Sequence, residues 1–288
     1  MRRIRTASVH THARPAETEP AVTTLIELAR DAGVTLFFDA EETAKHALPE
    51  DPFVVLGAAA EREVDLCFAL GGDGTILTAL RLYAGSAVPV FGINFGEMGF
   101  LATVDREEAW AGTLRALAGD FEVLSLPGIE LSAPGGHRAL AFNDVSLHRR
   151  QGLRVADLAY SVSDDEVGRV RCDGLVISTP AGSTGYNLAN GGPVMAWGVH
   201  GYVVSFISPH SLTARTLVVA PGDRLAVDNR SREEPVDVIV DGRPVCELAA
   251  GERAQTRFAI DQGTLAQVPG TTFYHRLREK FGRLATPF

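Results

Sequence analysis

Apolar positions along the chain follow two regimes. Through about residue 120, short apolar runs alternate with segments of near-helical spacing. Residues 4–9 predict a first strand. Pro20 opens a helix over 21–32, where Val22, Leu25, Ile26 and Leu28 share a face and Gly33 supplies the stop. Residues 34–38, 66–70 and 88–93 read as short buried strands. Residues 76–83 and 105–117 read as helices, the second with Ala109, Trp110, Leu114 and Leu117 as its apolar face. Strands alternating with helices predict a parallel sheet with helices on its faces, a doubly wound α/β domain.

Beyond residue 121 the pattern changes. Runs at 121–126, 129–132, 138–142, 145–148, 155–162 and 167–171 are broken by Gly, Pro and Asp, and 202–207, 218–219, 224–227 and 236–240 continue the series. This density of short strands predicts a β-rich, β-sandwich-like carboxyl-terminal domain. Asp241-Gly242, between Val240 and Val245, is a hairpin-turn signal. Helical character returns at 271–281, with Phe273, Leu277 and Phe281 four residues apart, as a helix packing back on the first domain. The expected domains are 1–120 together with 270–288, and 121–269.

Composition narrows the chemistry. Of 288 residues, 45% are apolar, enough for sizeable cores, and the net charge of −9 argues against a nucleic-acid binder. Cys67, Cys172 and Cys246 are scattered, with no C-x-x-C, as expected in a reducing, cytoplasmic setting. No apolar stretch approaches 18 residues and the basic start lacks an apolar core, so neither a membrane span nor export is expected. His10 and His12 alternate along the first strand, but no third ligand stands close; solvent-facing histidines are expected there, and no protein-held metal.

The densest chemistry lies at 71–75, GGDGT, between an apolar strand and a helix. A strand, a glycine turn and a helix start present backbone N–H groups to phosphate. A carboxylate in such a cradle is out of place unless it takes a proton or binds metal, which makes Asp73 a candidate general base for phosphoryl transfer. The plain alternative is a tight turn with Asp73 capping the helix. Asn94, with Gly96 and Gly99, follows another strand where open α/β sheets bind ligands. No Walker lysine and no G-x-G-x-x-G follows a strand. Asn143-Asp144 reads either as a turn or as a polar pair aimed at a sugar hydroxyl or amide. Residues 173–193, DGLVISTPAGSTGYNLANGGP, are rich in Gly, Ser, Thr and Asn with few charges, which favours a binding loop in which Tyr186 covers a flat ring. A G-x-S-x-G elbow fails on spacing, since Gly182 directly precedes Ser183. His210, taken alone, reads as a core histidine.

Taken in order, GGDGT at 71–75, GINFGEMGFL at 92–101, Asn143-Asp144, the stretch at 173–193 and SPHSL at 208–212 resemble the NAD kinases. GGDGT alone is shared with lipid kinases and relatives of phosphofructokinase; the five together are specific. The resemblance implies an α/β domain followed by a β-rich domain. It implies transfer of a phosphoryl group from ATP or polyphosphate, with Mg²⁺ on the donor phosphates, to the 2′-hydroxyl of the adenosine ribose of NAD, giving NADP. It makes Asp73 the general base and Gly74 part of the ligand cradle, flanked by Gly72 and Thr75. Asn143 and Asp144 match a clamp on the adenosine ribose or base, and Thr184 and Tyr186 match the segment bordering the dinucleotide, with Ala181, Gly185, Asn187, Leu188 and Ala189 around them. Arg171 and Asp173 match positions that approach the nicotinamide end from a neighbouring subunit, which implies a homodimer or homotetramer. Arg154, His210 and Arg243 complete the implied binding set. Several positions depart from the family pattern. Asp144 replaces Glu, Thr78 stands where a basic residue is usual, and Glu97 adds a negative charge to the first glycine loop. Gly185, Asn187 and Ala189 replace Ala, Ser and Ser. A dinucleotide-binding sensor with decayed activity and a related lipid kinase are the alternative readings.

Overall fold

The computed structural model describes residues 2–48, 51–60, 63–96 and 99–282. In chain order the first elements are β1 (Thr6–Thr11), α1 (Glu19–Ala32), β2 (Thr35–Asp39), α2 (Ala40–Lys45), β3 (Val54–Ala58), β4 (Leu66–Gly71), α3 (Asp73–Leu82), β5 (Val90–Asn94), β6 (Val104–Asp105) and α4 (Ala109–Leu117). There follow β7 (Glu122–Ala133), β8 (His137–Ala141), β9 (Asp144–Arg149), β10 (Ala156–Val162), β11 (Asp165–Cys172), β12 (Gly174–Ser178) and α5 (Tyr186–Ala189). The chain ends with β13 (Tyr202–Ile207), β14 (Leu217–Val219), β15 (Arg224–Asn229), β16 (Val236–Val240), β17 (Arg243–Leu248), β18 (Arg253–Gln267) and α6 (Phe273–Phe281). Two compact units result, Met1–Ser125 with Gly263–Phe288, and Leu126–Gln262. The unit boundaries fall inside β7 and β18 rather than in linkers.

The first unit is α/β. Its parallel strands lie in the order β3-β2-β1-β4-β5. The chain leaves β1 in one direction and returns on its other side at β4, so the strand order reverses between β1 and β4. Ligands of open α/β sheets gather at the carboxyl ends of strands beside such a reversal, and β4 ends there in the glycine turn. Phe68 and Phe91 are fully buried and meet edge to face at 5.9 Å. Gly33 ends α1 in the left-handed conformation, φ 67°, as its position predicts.

Three features differ from the sequence pattern. α2 and β3 have no counterpart in it, because the only buried residue of α2 is Glu42, and β3 is half exposed. Asp39 caps α2 through the Glu42 N–H at 2.8 Å, and Glu42 turns inward to the Thr11 N–H, the Thr11 hydroxyl and Lys45. A helix whose inward face is polar carries no hydrophobic periodicity. α4 begins at Ala109, and its inner face is Gly112, Thr113, Ala116 and Leu117, while Trp110 is 60% exposed. Val104 lies so close that a Cβ on Gly112 would sit 2.8 Å from it, so small residues face the sheet and the tryptophan faces out. His10, expected at the surface, is buried beside Asp39.

The second unit is β-rich. One antiparallel sheet runs β11-β10-β15-β18, with β7 and β8 forming a hairpin; the other runs β14-β13-β12-β9-β16-β17. Leu158, Val170 and Val227 from the first sheet and Leu147, Leu175 and Val204 from the second share one core, with Tyr202 stacked on Phe258 at 6.1 Å. The runs at 121–126 and 129–132 are one strand, β7, carried through Pro127. β18 starts beside β15, and its last residues belong to the first unit, where Leu265 pairs with Val90 of β5.

Phe68→Ala removes a fully buried ring and is expected to cost about 3–5 kcal/mol in urea unfolding. Trp110→Ala should change stability by less than about 0.5 kcal/mol, and a larger loss would show that the exposed tryptophan is packed in the folded protein.

Candidate active site

In the first unit the glycine turn is made by steric necessity. A Cβ on Gly71 would sit 2.2 Å from the Thr75 hydroxyl, so β4 can hand over to α3 this tightly only without a side chain. Gly72 is the N-cap of α3 and Asp73 its first residue. Asp73 does not cap its own helix. Its Oδ2 accepts the Phe100 N–H and its Oδ1 the Leu101 N–H, both at 3.0 Å. Burial is the largest influence on the carboxyl and pushes it up; the two N–H bonds and the charges of Arg276 and Lys280 pull back, leaving it above the ordinary carboxylate range. Gly74 has open space where a side chain would be, which leaves the first turn of α3 accessible. The Thr78 hydroxyl bonds the Gly74 carbonyl and receives Arg81, so a guanidinium reaches the position where the resemblance expects a basic residue.

The loop that grips Asp73 is held from behind by α6. Arg276 is buried and donates to the carbonyls of Phe100 at 2.9 Å and of Ala102 and Thr103, and to Gln267 Oε1 at 3.0 Å. Phe273 and Phe281 pack on Phe100 with ring centroids 5.6 and 5.9 Å away. Lys280 bonds both Asp105 oxygens at 2.8 Å. Burial opposes the Asp105 charge, but Lys280 and Asn94 outweigh it and hold the carboxyl low. Asn94 spends its amide on Asp105 and on the Gly96 N–H, so it shapes the loop rather than offering a free amide. The spacing of Phe273, Leu277 and Phe281 shows a helix with an apolar face, but nothing in it marks Arg276 as the residue that clasps the loop. Glu97 lies outside the described residues.

In the second unit, Asn143 and Asp144 stand where β9 begins. Asp241, at the tip of the β16–β17 hairpin, accepts N–H bonds from Phe142 at 3.0 Å, Asn143 at 2.7 Å and Asp144 at 3.1 Å. From the other side, the Thr179 N–H and Ser178 hydroxyl bond the Asn143 carbonyl, and the Thr179 hydroxyl bonds that of Phe142. Gly182 presses on the same backbone; a Cβ there would lie 2.1 Å from the Asn143 oxygen. Asn143 Oδ1 is buried without a hydrogen-bond partner. Asp144 is 8% exposed, and burial followed by the charge of Asp241 pushes its carboxyl up to about 7.

The stretch at 173–193 contains the buried strand β12, then a turn and the short α5. Tyr186 stacks on His148 at 5.6 Å and 6°. Burial, then Asp144 and Asp173, raise its phenol. Asp173 pairs with Arg149, and the Arg171 carbonyl accepts the His210 N–H at 2.7 Å. Asn143, Asp144, Tyr186 and Asp173 thus gather along β9. His148 and Arg149 join them, and the sequence reading missed both because they lie inside a strand pattern. Thr184 bonds the Ala181 carbonyl within the turn. Gly185, Ala189, Arg171, His210 and Arg243 are exposed, so His210 is not the core histidine its isolation suggests. Arg154 is 76% exposed in its side chain, with Glu234 its nearest acid, and does not join the group. Asn187 is buried and braces the turn through the Ser183 and Pro193 carbonyls with its Nδ2, while its Oδ1 is buried without a hydrogen-bond partner. Ala181 is buried and Leu188 half-buried.

Two family profiles match this chain. ATP-NAD kinase N-terminal domain covers residues 8–121, and ATP-NAD kinase C-terminal domain covers 142–262. The chain is 36% identical over 224 residues to an NAD kinase of Gemmatimonas aurantiaca, covering 76% of this chain and 78% of that one. It is 35% identical over 238 residues to an NAD kinase of Symbiobacterium thermophilum, 81% and 82% covered. The chain belongs to the NAD kinase family. The fold is that of a yeast NADH kinase solved with NADH, TM-score 0.87 at 20% identity, covering 100% of this chain and 90% of that one. It is also that of an Archaeoglobus fulgidus NAD kinase solved with ATP, TM-score 0.74 at 24% identity, with 96% and 97% covered. Among the described residues no helix is long and apolar enough to cross a membrane.

Arg276→Ala strands three carbonyls and Gln267, and is expected to destabilise by on the order of 3 kcal/mol in urea melts. An unchanged midpoint would show that the loop does not depend on this arginine. For Asp144, the folded pKa of about 7 lies above the unfolded value near 4. The folded state therefore holds a proton that the unfolded state releases, and stability falls as pH rises from about 4 to about 7. Asp144→Asn should flatten that decline, stabilising the protein more at pH 8 than at pH 4; equal shifts at both would contradict the raised carboxyl.

Proposed function

We propose that the chain transfers the terminal phosphoryl group of ATP to the 2′-hydroxyl of the adenosine ribose of NAD, giving NADP, with Asp73 as the general base. Family membership supports the reaction, and the geometry of Asp73 carries the role. Each Asp73 oxygen accepts one backbone N–H, which leaves a lone pair on each for a hydroxyl proton. Burial lifts the carboxyl toward the range in which a base both stays ionised and accepts a proton readily. A ribose hydroxyl is a weak nucleophile at neutral pH, and a fixed carboxylate removes its proton as the new P–O bond forms.

Asn143 and Asp144 take the ribose in this reading. The free Asn143 oxygen and the Asp144 carboxyl are the groups a vicinal diol would satisfy. Tyr186, flat against His148, offers its ring to the dinucleotide. Gly72, Gly74 and Thr75 supply the backbone of the α3 start to phosphate. In this reading the donor phosphates would carry the Mg²⁺. Such an ion would neutralise charge on the phosphates. Arg171 and Asp173 act in a homo-oligomer, a role that fits the 96% exposure of Leu212 in the neighbouring loop.

NADP formation from NAD, ATP and Mg²⁺ tests the reading, with Asp73→Asn alongside. The parent is expected to turn over and the variant to lose roughly two to four orders of magnitude in kcat. The acid limb of the parent's pH profile should lie above the ordinary carboxylate range. Turnover in both would remove Asp73 from its role. Activity with polyphosphate alone would reassign the donor, and NADP binding without turnover would leave a sensor.

A further inference from the structure

The turn between β16 and β17 is built with more chemistry than a turn requires. Asp241 has φ 45° and Gly242 φ 75°, the paired left-handed residues of a two-residue hairpin. Asn-Gly makes that turn as well as Asp-Gly does. The carboxylate is instead directed across to the start of β9. Its Oδ1 is shared by the N–H groups of Asn143 and Asp144, and its Oδ2 takes that of Phe142. The Asp241 N–H returns to the Asp144 carbonyl at 2.9 Å. Four hydrogen bonds thus join one hairpin tip to three consecutive residues, 99 to 97 positions away in sequence.

What this arrangement holds is a pair of unsatisfied side chains. Asn143 Oδ1 is buried without a partner, and no protein donor among the described residues reaches the Asp144 carboxyl. The ionisable groups acting on Asp144 are Asp241 from the hairpin tip and Tyr186 from α5; β12 meets it with Ser178, which does not ionise.

We propose that Asp241 is a positioning residue for acceptor binding, fixing the backbone of Asn143 and Asp144 and acting by its charge on the Asp144 carboxyl. The inference rests on the reading in which that pair takes the acceptor ribose. Burial, and after it the negative charge of Asp241, disfavours a charge at Asp144. Near neutrality Asp144 therefore retains its proton in part, and offers the ribose diol a donor as well as an acceptor. Asp144 is one methylene shorter than the glutamate usual in the family, so its reach is set more strictly by the backbone that Asp241 holds.

Asp241→Asn is the decisive variant, because Asn-Gly keeps the turn while removing the charge and one acceptor oxygen. Expected is a rise of about tenfold in KM for NAD, one hydrogen bond's worth, with kcat changed by less than about threefold. The limb that Asp144 places near pH 7 in the KM profile should move to lower pH. An unchanged KM and an unmoved limb would overturn the proposal, as would a raised KM with the limb in place, since a purely structural role moves no limb. Asp144→Asn separates the two failures. If it leaves both KM and the limb intact, the acceptor role of the pair fails; if it abolishes a limb that Asp241→Asn leaves in place, only the role of Asp241 fails. Urea midpoints report folding of each variant. Asp241→Ser, which keeps an acceptor, repeats the test should Asp241→Asn unfold.

Discussion

The two N–H bonds from Phe100 and Leu101 to the Asp73 carboxylate are the constraint around which the first unit is arranged. An acid at a helix start ordinarily satisfies itself on its own helix, and would then be a cap and nothing more. Here a separate loop supplies the donors, and the same loop gives its carbonyls to Arg276. The peptide between Phe100 and Leu101 therefore lies between an anion and a cation, its N–H on Asp73 and its carbonyl on Arg276, which strengthens both bonds in a poorly solvated setting. Moving α6 moves Arg276, then the loop, then the carboxylate. The glycines at 71 and 72 and the returning helix serve the same placement from opposite ends of the sequence.

The second unit handles a carboxyl in the contrary way. Asp144 is buried as Asp73 is, but it has a negative neighbour in place of N–H donors. Burial raises both; donors hold one toward ionisation and repulsion holds the other toward protonation. A base needs the first environment, and a group that must donate as well as accept needs the second. The backbone donors at this end of β9, the Phe142, Asn143 and Asp144 N–H groups, all go to Asp241.

Much of this was legible in the sequence, for definite reasons. β4, α3 and the glycine turn carry strong apolar runs and an unambiguous break, and the five motifs in order point to the family. α2 was not legible, because its buried face is the single acid Glu42. The α4 face was misjudged because Trp110 outweighs Gly112 and Ala116 in any count of hydrophobicity, whereas close approach to Val104 favours the smaller residues. Arg276 and Asp241 were missed for a shared reason. One sits in a helix pattern and the other in a turn pattern, and each does fill that local role; its second task depends on a partner about a hundred or more positions away. Asn187, in a motif whose neighbours face outward, also braces the turn with its own amide nitrogen, a structural task no sequence pattern announces.

The overall charge of −9 looks unsuited to polyanionic substrates, yet the acids of the two candidate clusters, one in each unit, are almost all answered locally. Asp73 and Asp241 are met by backbone N–H groups, Asp105 by Lys280 and Asp173 by Arg149. Asp144 keeps its proton to higher pH than its type. Bulk charge acts over a Debye length of about 8 Å in physiological salt, so distant surface acids matter little to a ligand in contact with the site. What a phosphate-bearing ligand meets is the local sum. An acidic chain can thus serve this chemistry because its site carboxylates are each given a donor, a cation or a proton.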